Sequence, residues 1–249
     1  MLMPFTCFFG AVLCAALITG CGSDDASSTN STASPSSALS TAAASIASSS
    51  SPVSRPVSQG FAHRTGELLN PDDSAVVMLY FDLTGISPPI ATWVEEDSRV
   101  KFAAAPDKAT KRVAVRAELE AAASGVRDIG LIRLTMNADL SEYDPSYEEF
   151  TVRALAPSSV VTFKAFGQKV SLRFANGNDA QVWRVPRAES QAIRDRMVYN
   201  NASLDALLKI VSVQPGPAGG TIVTHVMEYE LRDNRSGTAI ARVRVDQEK

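Results

Sequence analysis

Cysteine is nearly missing from this chain of 249 residues: Cys7, Cys14 and Cys21 are all it has, and residues 22–249 carry none. That long stretch therefore has no disulfide, no zinc–thiolate or iron–sulfur site and no cysteine nucleophile. Histidine is as scarce, with His63 and His225 alone, and neither stands in an H-E-x-x-H pattern. A G-x-S-x-G elbow, a phosphate-binding loop and a dinucleotide fingerprint are also missing. The 24 Lys and Arg nearly balance 27 Asp and Glu, so there is no basic field and no nucleic-acid partner is expected. One long apolar run is present, from Met1 to Gly20, and it contains no Lys or Arg.

What is there begins with that run. Leu17, Ile18, Thr19, Gly20 and Cys21 close it, and a Ser-rich stretch follows. An apolar segment of this length ending in small residues reads as a secretory signal rather than a spanning helix. A retained spanning anchor is the alternative. Ile18, Thr19, Gly20 and Cys21, at this position and before such a stretch, resemble a bacterial lipoprotein signal, although the positive start usual in a signal is lacking. The resemblance implies cleavage after Gly20, a diacylglycerol on the Cys21 thiol and a further acyl chain on its new amine. Each buried CH₂ contributes roughly 0.8 kcal/mol and one chain holds only reversibly, so the added chains make a lasting anchor. The same resemblance places Gly22 and Ser23 where an Asp would favour the inner membrane. The implied location is the outer membrane, facing the periplasm, with membrane lipid held through Cys21.

Residues 1–20 are thus expected to be a signal peptide and 21–60 a tether. The tether is Ser, Ala and Thr with scattered Pro35, Pro52 and Pro56, and it has too few large apolar residues to offset the entropy of ordering. A chain of about 40 residues reaches typically about 35 Å when flexible and at most ~130 Å when fully extended. Residues 61–249 suit one domain with a sizeable core.

Within that domain, Asn70 as cap, Pro71 at the first helical position and two acids after it predict a helix from Pro71 to Thr84, stopped by Gly85. Ala75, Met78, Leu79 and Leu83 form its expected inner face; a strand over Val76–Phe81 is the competing reading. Ser87 and Pro88 open a second helical stretch carrying Ile90, Trp93, Val94 and Val100. Asp107 opens a third, Lys108 to Ser124, with Val113, Ala117 and Leu119 inward. The period then changes. Strands are expected at Ile129–Asn137, Tyr147–Leu155, Val160–Phe166 and Val170–Phe174. Asn176–Asp179 reads as a hairpin turn returning through Val182 and Val185, with Trp183 on the opposite face. A short helix follows from Pro186 to Met197, then strands over Leu204–Val213, where a helix is the competing reading, Ile222–Leu231 and Ala239–Val245, with Pro215–Gly220 a flexible loop. The expected class is α+β: an N-terminal helical group packed against a mostly antiparallel meander sheet.

Chemistry is faint in this pattern. His225 shares a strand face with Val223 and Met227, which suits a sheet histidine better than a catalytic one. The acids Asp139, Glu142, Asp144, Glu148 and Glu149 gather on one loop with Ser141 and Tyr143. Oxygen-rich loops suit a hard cation, yet the spacing matches no calcium loop, so no metal and no cofactor is expected. Trp183, flanked by Arg184 and with Arg173 and Arg187 near in sequence, makes a candidate cationic–aromatic patch for a partner surface or an anionic glycan. The candidate binding residues are Trp183, Arg184, Asp139, Glu142 and Asp144. The sequence points to a non-enzymatic, lipid-anchored envelope protein that binds another envelope component, protein or glycan. A hydrolase of envelope material working through carboxylates and a structural lipoprotein without a specific ligand remain open.

Overall fold

Ala75 to Leu83 is apolar on almost every side, and a helix of that kind needs cover all round. The computed structural model, which describes residues 60–197 and 202–245, provides it. Helix α1 (Asp73–Thr84) buries Val76 through Phe81 and Leu83, so the single inner face expected from the sequence is too narrow. The helix also begins later than Pro71. Asp72 is the cap, its carboxylate accepting from the Ala75 amide at 2.8 Å. Asn70 instead takes φ 41° and serves the sheet: its Oδ1 accepts from the Thr135 amide at 2.7 Å. Gly85 ends the helix with φ 69°, as expected. The signal run, Cys21 and most of the tether lie outside the described residues.

The second helical stretch is broken in two, α2 (Ile90–Glu96) and α3 (Ser98–Lys101), because Asp97 turns extended and caps the Arg99 amide at 2.8 Å. Helix α4 (Lys108–Gly125) buries Val115 and Leu119, while Val113 is 70% exposed and Ala117 faces solvent. At about 100° per residue, Val113 and Leu119 stand about 120° apart around the axis and cannot share one stripe, whereas Val115 and Leu119 do. Phe81 packs edge-on against Trp93, and Trp93 stacks on Phe166 at 4.5 Å, which joins α1 and α2 to the tip of a hairpin.

The strands are β1 (Gly66–Leu69), β2 (Ile129–Asn137), β3 (Glu149–Thr151), β4 (Val160–Ala165), β5 (Gln168–Phe174), β6 (Val182–Arg184), β7 (Ala202–Gly216), β8 (Gly219–Asp233) and β9 (Ala239–Arg244). Short helical segments α5 (Gly177–Ala180) and α6 (Arg187–Arg196) flank β6. The main sheet has seven strands in the order β1-β2-β7-β8-β5-β4, with β9 also on β8. It is mixed: β1–β2 and β5–β8 are parallel, the other pairs antiparallel. The meander expected from the sequence is therefore corrected. β6 does not return beside β5 but pairs with β3 in a separate two-stranded sheet. The expected strand over Tyr147–Leu155 shrinks to β3 and a 3-10 turn at Arg153–Leu155.

Two glycine-bearing turns differ from expectation for the same reason, close approach. Pro215–Gly220 is no loose loop but the tight end of the β7–β8 hairpin, Gly216 pairing with Gly219. A Cβ at Gly219 would lie 2.0 Å from the Lys169 carbonyl on β5, and one at Gly220 would meet the Tyr80 ring at 2.6 Å. Tyr80 Oη then donates to the Gly219 carbonyl at 2.7 Å, tying α1 to the hairpin. At Asn176 the chain leaves the sheet, and a Cβ on Gly177 would meet the Leu155 carbonyl at 2.8 Å. Among the described residues no helix is long and apolar enough to cross a membrane.

Candidate functional site: a cationic groove between β6 and β9

Strand β8 is long enough to hold two neighbours on one edge. Its first half pairs with β5 and its second half with β9. The gap between them is closed by a side chain. Asn176 Oδ1 accepts from the Val226 amide at 2.8 Å and its Nδ2 donates to the Val226 carbonyl at 2.9 Å. The Val245 amide then donates to the Met227 carbonyl at 3.0 Å, and β9 runs on from there. The same Asn176 turn leads through α5 into β6, so one residue positions both strands.

Between β6 and β9 lies a cavity of about 620 Å³, lined by Asn178, Asp179, Val182, Trp183, Arg184 and Arg242 to Val245. Trp183 is among the lining residues but only 5% exposed, so it adds little open surface there; its ring stacks on its cross-strand partner Phe150 at 5.1 Å. Phe150 packs in turn on Tyr143, whose hydroxyl donates to the Val185 carbonyl at 2.9 Å. The small sheet is thus an apolar plate with the indole against the groove.

Three arginines and one carboxylate, Asp179, line the opening. Arg184 has Glu149 as its cross-strand neighbour. Arg242 and Arg244 project from β9, and Glu228 on β8 accepts from Arg242 and lies 3.8 Å from Arg244. The hydrogen bond from Arg242 holds the Glu228 carboxyl below its ordinary range, and the charges of Arg242 and Arg244 add to the effect. The same bond raises the Arg242 pKa further. Arg173 and Arg187, which the sequence places near Trp183, do not line the groove. Arg173 stands exposed on β5, and Arg187 donates to the Pro145 carbonyl at 2.9 Å. Arg242 and Arg244 were missed by sequence reasoning; their signal is the alternation Arg242-Val243-Arg244 on a strand.

The acidic loop is placed apart from this lining. Asp139, at φ 46°, pairs with Arg153 at 3.3 Å. Asp144 Oδ1 accepts from the Ser146 amide at 2.8 Å and pins a turn. The Ser141 hydroxyl accepts from the Thr151 amide and donates to the Glu142 carbonyl. Isolated bridges Leu140–Val152 and Asp144–Glu149 make the segment a hairpin leading into β3. Among the described residues no three His, Cys, Asp or Glu side chains converge as a metal site. His225 is half-buried on the outer sheet face with Val223 and Met227, and His63 is exposed. Every carboxylate with a resolved shift is lowered, namely Asp72, Glu95, Asp97, Glu228 and Asp233, so none of these is a proton-holding acid.

Comparison of the chain with protein-family models, with curated proteins and with solved structures finds no significant match.

Proposed function

We propose that this is a lipid-anchored envelope protein, held through Cys21 at the outer membrane and facing the periplasm, whose α+β domain binds an anionic envelope component, protein or glycan. The single observation that carries the binding half is the groove: about 620 Å³, with Arg184, Arg242 and Arg244 against one lining carboxylate, Asp179. Guanidinium groups gathered in this way favour carboxylate and phosphate over neutral partners. The anchoring half rests on the Ile18–Cys21 resemblance.

Crosslinking and recovery of the chain from native envelopes tests this reading. Trp183 is buried, so its truncation would report on folding; the informative variants are Arg184→Glu and Arg244→Glu. A partner crosslinked to wild type and lost in both variants, with folding unchanged by circular dichroism, is the expected result. The same crosslinks in all three forms would place the partner elsewhere and overturn the assignment of the groove.

A further inference from the structure

Among the described residues, strand β9 is paired on one side only, by β8. Because the Val245 amide points to β8, the two-residue period of a strand turns the backbone N–H and C=O of Arg242 and Arg244 to the outer edge. That edge borders the groove. An extended chain laid along it would meet three things in register. It would find the outward backbone groups of β9, the half-buried Val243 beside Val245 and Trp183, and the arginine side chains. The geometry points to β-strand addition: a partner protein's extended segment, with acidic and apolar residues in alternation, docks along β9. This rests on the groove being the binding site and names the partner's chemistry.

Charge and period fix the occupant. Arg242 and Arg244 share one strand face, with side chains 61% and 85% exposed. Acids two residues apart on an added strand would stand opposite them, where opposite charges stabilise a cross-strand pair. The residue between those acids would point to the other face, over Val243 and the indole. Arg244 is the first taker, since its contact with Glu228 is 3.8 Å long, whereas Arg242 is hydrogen-bonded to Glu228. A second copy of this chain is the poorer occupant: pairing β9 with itself about a two-fold at Val243 would set arginine against arginine, which repels, and a two-fold at Ala241 would leave both arginines without an acid opposite. An oligosaccharide would use the arginines but leave the backbone row unpaired.

Binding of the acetylated, amidated hexapeptide Val-Glu-Val-Glu-Val-Glu to the full-length chain, read by isothermal titration calorimetry at low salt, tests the inference. Two controls hold its charge constant: the isomer Val-Val-Val-Glu-Glu-Glu, and the alternating peptide N-methylated at every second residue. The expected result is saturable binding by the alternating peptide and binding at least about tenfold weaker for both controls and for Arg244→Glu, with Arg244→Lys retaining most of the affinity. Equal binding of the controls overturns strand addition. An acidic tetragalacturonate that binds, is lost with Arg244→Glu and is matched by no peptide preference would leave the groove an anion site and sink this inference alone. No binding of either probe sinks both.

Discussion

Two arginines stand on one face of β9, about 7 Å apart by the rise of a strand, and Glu228 on the neighbouring strand sits against both. Glu228 thereby holds the rim in place and also competes with any incoming carboxylate. Its side chain is 16% exposed, so solvent screens the pairing only in part. The bond from Arg242 depresses its folded pKa below the ordinary 4.5. A carboxylate depressed on folding stabilises the native state fully above its unfolded pKa. That contribution fades as pH falls through the lower, folded value. The acid limb of stability should therefore flatten in Glu228→Gln. Urea unfolding from pH 6 down to pH 3 should show wild type losing its advantage over the variant, most of it below about pH 4.5. Parallel curves would mean that the pairing carries no stability. At neutral pH the same substitution frees Arg242 and should tighten binding of the alternating peptide.

At the scale of elements, the groove depends on β9 and β6 being held at a fixed separation, and Asn176 does this with one side chain. Its amide supplies to Val226 what a strand residue would have supplied with its backbone. Asn176→Ala leaves a part-buried N–H and C=O without those partners. With about 1–3 kcal/mol for a stranded polar group, the expected loss is about 2 kcal/mol in urea unfolding, with weakened groove binding. Unchanged stability would show that water or a neighbour takes over the ladder. Asn176-Gly177 also shows what was legible in the sequence. The pair marked a special backbone site, but its reason is a side-chain bridge and contact with Leu155, neither of which leaves a period. Gly219 and Gly220 misled in the same way, as they admit β5 and Tyr80 rather than loosening a loop. Elements with a strong local period, β2, β5 and β8, lie close to where the sequence placed them, and α1 was readable from its end signals, Pro71, the acids after it and Gly85. The β3–β6 pairing joins Phe150 to Trp183 across 33 positions (183 − 150), and no local pattern announces it. For the same reason Arg184 was found as a candidate while Arg242 and Arg244, brought to it by the β8 edge, were not.

At the scale of the whole molecule, attachment and recognition are assigned to residues far apart in the chain, Cys21 and the groove around Arg184 and Arg244. On the proposed reading, the segment 21–60, taken as a freely flexing chain of about 40 residues, would reach typically about 35 Å and keep the domain in a thin layer beside the membrane. Confinement of that order gives effective concentrations of about a millimolar toward a partner fixed in the same layer. A groove with modest affinity, such as a short added strand provides, then suffices in the envelope where it would fail in free solution. Cys21→Ser separates the two parts. The substituted chain should move from the membrane pellet to the soluble fraction on fractionation. Its affinity for the alternating hexapeptide should stay within about twofold of wild type, because no groove residue changes. Its crosslinks in native envelopes should nonetheless disappear. A chain that stays in the pellet would show that something other than lipid on Cys21 anchors it. A soluble chain that keeps its envelope crosslinks would show that the groove alone is strong enough, and the tether would then be a spacer without a part in recognition.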